Sequence, residues 1–197
     1  MLTPMPLLEQ IEVLRAFRRT LRADCNRAMR EAHSTYRKRR VTPFVEKLRY
    51  RRTDNAWELR DVADECLRQL RHARAISIAE WSPGDQIVVE VVARGSIPDP
   101  RRFVVTDVEW SKPDSYHYDV WQLTKAGRFY ERGGQTWLFP SNRIRINRCD
   151  QTLPEETLRQ CANYRSHADH FMEDVRDRGD IDHIVKWVQE RREKGFY

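Results

Sequence analysis

The sequence predicts an α+β protein in which an antiparallel helical scaffold carries an inserted, small five-stranded β-barrel. Three changes of period predict it. Apolar residues recur every three or four positions from Leu7 to about Ala75, alternate with period two from Gln86 to Asn147, and return to helical spacing after Asp150. Short turn signals, with no low-complexity linker, separate these stretches. The expected organisation is a basic helical region over residues 1–80, the barrel over 81–149, and C-terminal helices over 150–197 that pack on the N-terminal ones.

With 197 residues the chain can bury a real core, and 40% apolar content sets it apart from disordered sequences. The Met1 end lacks a charged segment followed by an apolar one, so no secretion signal is expected. Ile87 to Ala93 is the most apolar short run. It is broken by Glu90 and far too short to span a bilayer, so no membrane partner is expected. Cys25, Cys66, Cys149 and Cys161 are widely spread, which suits reduced thiols in a cytoplasmic protein.

Thr3-Pro4-Met5-Pro6 is a helix start, because proline is tolerated in a first turn that lacks internal partners. Leu7, Ile11, Leu14, Phe17, Leu21, Cys25, Ala28, Ala32 and Tyr36 then form one stripe, predicting a helix to about Arg37. Thr42-Pro43 opens a second segment, and Thr53-Asp54-Asn55 is expected to break it, with Asn55 and Glu58 at capping-box spacing. Trp57, Leu59, Val62, Ala63, Cys66, Leu67, Leu70 and Ala73 predict a further helix, antiparallel to the first.

Ser82-Pro83-Gly84-Asp85 is a turn, and Gln86 to Arg94 alternates as a strand. A second strand spans Arg102 to Trp110, with Val104, Thr106, Val108 and Trp110 on one face and Phe103 and Val105 on the other. Tyr116 to Leu123 is a third. Arg128 to Phe139 is expected to fold about Gly133-Gly134 as a two-residue hairpin that pairs Tyr130 with Trp137. Arg143 to Asn147 completes the set. The succession of Pro-Gly-Asp turn, two strands, turn, Tyr-His-Tyr-Asp-Val-Trp strand, hairpin and short last strand resembles an SH3-like barrel. That likeness implies a fold alone, since such barrels bind peptides, RNA, DNA or nothing. Beyond it, Thr152 to Glu156 starts a helix that should end at Gly179. Ile181, Ile184, Val185 and Val188 predict a last one.

Function is read from charge. Residues 15–52 hold fourteen Arg or Lys against three acids, in a chain whose net charge is +6. A cationic helix and loop of this kind suits phosphate contacts with DNA or RNA through Arg37, Lys38, Arg39, Arg40, Lys47, Arg49, Arg51 and Arg52. Arg143 and Arg145 of the barrel offer a second contact. The acids of residues 150–197 could instead neutralise part of that charge. The alternative is a protein–protein adaptor or inhibitor that docks on a larger nucleic-acid-handling complex, with Trp110, Tyr116, Tyr118 and Trp121 as its contacts.

No enzyme is expected. No Gly-x-Ser-x-Gly elbow surrounds a serine, and no Gly-rich phosphate loop follows a strand. His167, Asp169, His170, Glu173 and Asp174, even with Cys149 and Cys161, match no zinc spacing. Neither a metal nor a cofactor is expected.

Overall fold

The computed structural model describes residues 6–36, 43–91, 100–112, 115–141, 143–177, 186, 189 and 190. Two compact units divide the chain, one reaching Leu70 and the other running from Arg71 to Asp177.

The first unit is a helical hairpin. Helix α1 (Leu7–Tyr36) ends where expected, ahead of Pro43. Its partner α2 (Pro43–Ile78) is one continuous helix, which corrects the expected break at residues 53–55. Thr53 explains the difference: its hydroxyl donates to the Arg49 carbonyl at 3.0 Å, a bond made within a continuing helix rather than at a start. Three contacts fix the antiparallel pairing, since residue numbers fall on one helix as they rise on the other. Arg18 meets Asp64, the Cys25 thiol reaches the Ala56 carbonyl, and Arg49 reaches the Glu31 carbonyl. Ile11, Leu14, Leu21 and Cys25 are buried on α1, and Ala56, Leu59, Ala63, Leu67 and Leu70 on α2. The alanines of α2 leave room for close helix approach.

The second unit holds the last turns of α2, a five-stranded antiparallel sheet and a third helix. The strands are β1 (Gln86–Val91), β2 (Arg101–Lys112), β3 (Ser115–Gln122), β4 (Gln135–Leu138) and β5 (Ile144–Arg148), in the order β4-β3-β2-β1-β5. No pairing joins β4 to β5, so the sheet is not closed into the expected barrel. Its main core gathers Ala75, Ile87, Val89, Phe103, Val105, Val108, Tyr118 and Val120. A register shift between Val105 and Asp107 inserts an extra residue. Phe103 and Val105 therefore share a core with Val108 and Trp110, which strict alternation sets on the other face.

The expected hairpin about Gly133-Gly134 does not form. Leu123 bridges Phe129 around Gly127, and β4 pairs with β3 from Tyr118↔Leu138 to Trp121↔Gln135. Of the two glycines only Gly133 has positive φ, at 69°. Gly134 serves close approach instead, because a Cβ there would lie 2.6 Å from the Trp121 ring. The Trp121 indole N–H donates to the Tyr130 carbonyl at 2.9 Å and pins the loop beneath it.

Helix α3 (Glu155–Asp177) begins at its acid-led first turn. It packs inside this second unit, where Cys161 and Leu153 join Val104 and Leu123, and Arg165 pairs with Asp85 at 2.9 Å. The expected ending at Gly179, the helix through Ile181, Ile184, Val185 and Val188, and Arg37 to Arg40 lie outside the described residues.

Candidate functional site

Charge in the first unit separates along the hairpin. Residues 27–52, where α1 finishes and α2 begins, hold ten basic side chains and two acidic ones, whereas residues 7–26 and 53–70, which make up the other end, together hold six basic and eight acidic. At the second end the charges meet. Arg18 and Arg60 flank Asp64, Arg60 also reaches Asp61 at 2.7 Å and lies over the Trp57 ring, and Arg68 pairs with Glu65 at 2.6 Å. An open groove there is lined by Asp54, Glu58, Asp61 and Glu65 beside Trp57 and Val62, a lining that repels phosphate.

At the first end Arg27 pairs with Asp24 at 3.7 Å, and the other exposed cations among the described residues face water. Lys47, Arg51 and Arg52 are exposed on α2, and none of them lies within ion-pair reach of a described carboxylate. Arg49 is half-buried against α1 through its bond to the Glu31 carbonyl, so it positions the hairpin as well as adding charge. Arg30, exposed on α1, donates to the Asn26 carbonyl and pairs with no carboxylate among the described residues. Arg143 and Arg145 stand exposed at the β5 edge of the sheet, with Arg145 opposite Glu90.

The four aromatic residues proposed as partner contacts divide into two groups. Tyr118 is buried, and Trp110 and Tyr116 pack against the same core. The Tyr118 hydroxyl accepts from the Trp81 N–H at 3.3 Å, and that of Tyr116 accepts from the Glu80 N–H at 3.4 Å, tying β3 to the turn that opens the sheet. Burial and the neighbouring Tyr116 push the Tyr118 hydroxyl well above the usual phenol range. Trp121 lies apart from these three, half-buried against Phe129 and the Gly134 backbone.

Sequence reasoning missed a cluster on β2 and β3. The bulge turns Asp107 and Glu109 to the side opposite Val108, where they face Asp119 and His117 across the strands. His72, from the end of α2, meets the Asp107 carboxylate at 2.7 Å and lies against the Phe171 ring of α3. His117 Nε2 sits 3.6 Å from Glu109 and 3.7 Å from Asp119, and its ring stacks on Phe139.

The two opposed aspartates are driven apart. Burial acts to raise Asp107, but the His72 bond and charge, the Val108 N–H and the more distant His117 outweigh it and hold the carboxyl below its ordinary range. Burial, reinforced by the Glu109 charge, pushes Asp119 above that range. The alternation of His117, Asp119 and Trp121 was visible in the sequence. Their partners were not, because these depend on the bulge and on β4 pairing with β3.

Among the described residues no group of His, Cys, Asp or Glu has the arrangement of a metal site, and no helix is long and apolar enough to cross a membrane. All four cysteines are free thiols, and burial pushes Cys25 and Cys161 up from the ordinary thiol range. Searches of family models, curated proteins and solved structures match nothing to this chain.

Proposed function

We propose that this chain is a non-catalytic, cytoplasmic binding protein that associates with the phosphate backbone of DNA or RNA through the loop end of its helical hairpin. The observation that carries the reading is the separation of charge along the hairpin, with ten basic side chains against two acids over residues 27–52. Lys47, Arg51 and Arg52 are exposed there without a carboxylate partner among the described residues. Cations already held in ion pairs would have to break them to bind phosphate, whereas these need only release phosphate counterions. Arg37, Lys38, Arg39 and Arg40 extend the same block in the sequence, and Arg143 and Arg145 offer a second contact on the sheet unit. The long, bulged β2 and the return of β5 beside β1 support the finer reading of the sheet as an SH3-like fold.

The test is a salt-titrated binding assay with duplex DNA, single-stranded DNA and RNA. Binding should be nearly independent of sequence. Changing Lys47, Arg51 and Arg52 together to Ala should flatten the logarithmic salt slope on duplex DNA by about 0.9 for each phosphate no longer neutralised. Circular dichroism must show the variant helical. A folded variant that binds as the parent does, or a parent that binds no nucleic acid at low salt, overturns the reading.

A further inference from the structure

Two cross-strand rows run toward the open β4 edge of the sheet. In the first, Asp107, Asp119 and Trp137 lie in register across β2, β3 and β4. In the second, Glu109 faces His117, whose ring stacks on Phe139 with centroids 5.0 Å apart. The rows begin under His72 and end in water, with Trp137 68% and Phe139 55% exposed. Large rings this open on an edge strand, as Trp137 is, and on the residue that follows the strand, as Phe139 is, are uncommon, because such an edge invites pairing with another chain.

The backbone of β4 adds a second feature. The Gln122 N–H donates to the Gly134 carbonyl at 2.8 Å, which fixes the phase of the β3–β4 ladder. In an antiparallel ladder bonded and non-bonded pairs alternate. Val120–Thr136 and Tyr118–Leu138 are then the bonded pairs, while Gln135 and Trp137 turn their N–H and C=O groups away from β3. Among the described residues no strand pairs with that side. Trp137 therefore presents a donor, an acceptor and an exposed indole at one position, with the Asp119 carboxylate directly behind it.

We propose that the β4 edge takes up an extended cationic segment of a partner protein as an added strand, with Arg or Lys side chains laid over Trp137 and Phe139 toward Asp119 and Glu109. Charge chooses the partner. The two rows hold three carboxylates and no Lys or Arg, so they repel phosphate, and the faces of the rings attract guanidinium and ammonium groups. The outward N–H and C=O groups choose the conformation, because only an extended backbone can bond to both. The surface is built from residues of the sheet unit alone, whereas the proposed phosphate contacts Lys47, Arg51 and Arg52 are residues of the hairpin unit.

The experiment measures fluorescence anisotropy of a labelled peptide of alternating arginine and valine with the full chain, beside a glutamate–valine counterpart. Because the chain carries a net charge of +6, a cationic peptide that binds reports local attraction rather than the overall field. The arginine peptide should bind, the glutamate peptide should not, and Trp137→Ala should weaken binding about tenfold. Glu109→Gln with Asp119→Asn should weaken it and flatten its salt dependence. A peptide methylated on alternate backbone nitrogens should lose binding to the unaltered protein, which keeps the test free of any folding defect. Changing Lys47, Arg51 and Arg52 to Ala should leave the peptide bound, so this proposal and the phosphate reading fail separately. No binding of the arginine peptide, equal binding of the glutamate peptide, parent-like affinity in Trp137→Ala, or undiminished binding of the methylated peptide overturns the proposal. So does an oligonucleotide whose own binding is lost in Trp137→Ala.

Discussion

On α2, Lys47, Arg51 and Arg52 project from a helix surface into water, whereas on the sheet Asp107 is met by His72 at 2.7 Å and Asp119 by the carboxylate opposite it. Both regions carry concentrated charge, and they differ in what decides its surroundings. On a helix, the neighbours of a side chain are the residues three and four positions away, so exposure follows from spacing. On a sheet, the nearest neighbours belong to other strands and change with every shift of register. The cationic end of the hairpin is therefore a local property of residues 27–52. The carboxylate rows are a property of the bulge after Val105 and of the pairing partner of β4.

The sharpest way to break this comparison is through the hairpin core. Leu67 is 2% exposed, on the stripe that the helical period sets against α1. Leu67→Ala should cost about 3 kcal/mol in urea denaturation. Leu48, 42% exposed on the same helix, should cost less than about 0.5 kcal/mol when changed to Ala. Equal costs would mean that spacing does not set burial in the hairpin.

The same contrast explains what could be read from the sequence. The hairpin, the five strand segments and the acid-led start of α3 were legible because each rests on period and capping within a few residues. Thr53-Asp54-Asn55 misled because turn-forming residues are tolerated inside a helix when tertiary packing holds it, and Ala56 and Leu59 beside them are buried against α1. The hairpin about Gly133-Gly134 misled because a glycine pair signals positive φ and close approach alike. Here each glycine serves one of these. The aromatics of β3 were visible, but not which of them packed in the core, because their partners are distant in sequence. The Glu80 and Trp81 N–H groups ahead of the turn at Pro83-Gly84 bond the tyrosine hydroxyls.

That turn offers the next largest effect. Gly84 has φ of 88°, and a Cβ there would strike the Cys161 carbonyl of α3. Gly84→Ala should cost about 3 kcal/mol from backbone strain and overpacking together. Gly133→Ala, with φ of 69° but open space around it, should cost about 1 kcal/mol. If the two variants unfold at the same urea concentration, packing of α3 on the turn contributes nothing to the sheet unit.

A smaller effect separates core from contact surface. Tyr118→Phe removes the acceptor for the Trp81 N–H and should cost about 1 kcal/mol in urea. Binding of the arginine peptide should be unchanged, since Tyr118 faces the core and the β4 rows face away from it. A loss of peptide binding without loss of stability would return Tyr118 to the contact surface.

The smallest effects carry the most information, because they have opposite signs on two carboxylates that face each other. Asp107 is held below the ordinary aspartate value of 3.8, so its native form binds protons less readily than the unfolded chain. It adds stability above that value, and the contribution is lost as pH falls through the lower native value. Asp107→Asn should therefore lower the urea midpoint at pH 7, and the difference from the parent should close once both carboxyls are protonated in strong acid. Asp119 is raised above 3.8, so its native form binds protons more readily than the unfolded chain. Its charge costs stability at neutral pH, and that cost is relieved as pH falls through the raised value. Asp119→Asn should raise stability slightly at pH 7, by less than about 1 kcal/mol, and with it the midpoint, with the gain shrinking as the solution is acidified. Two variants that shift the midpoint in the same direction at pH 7 would show that the cross-strand row does not set these carboxylates apart.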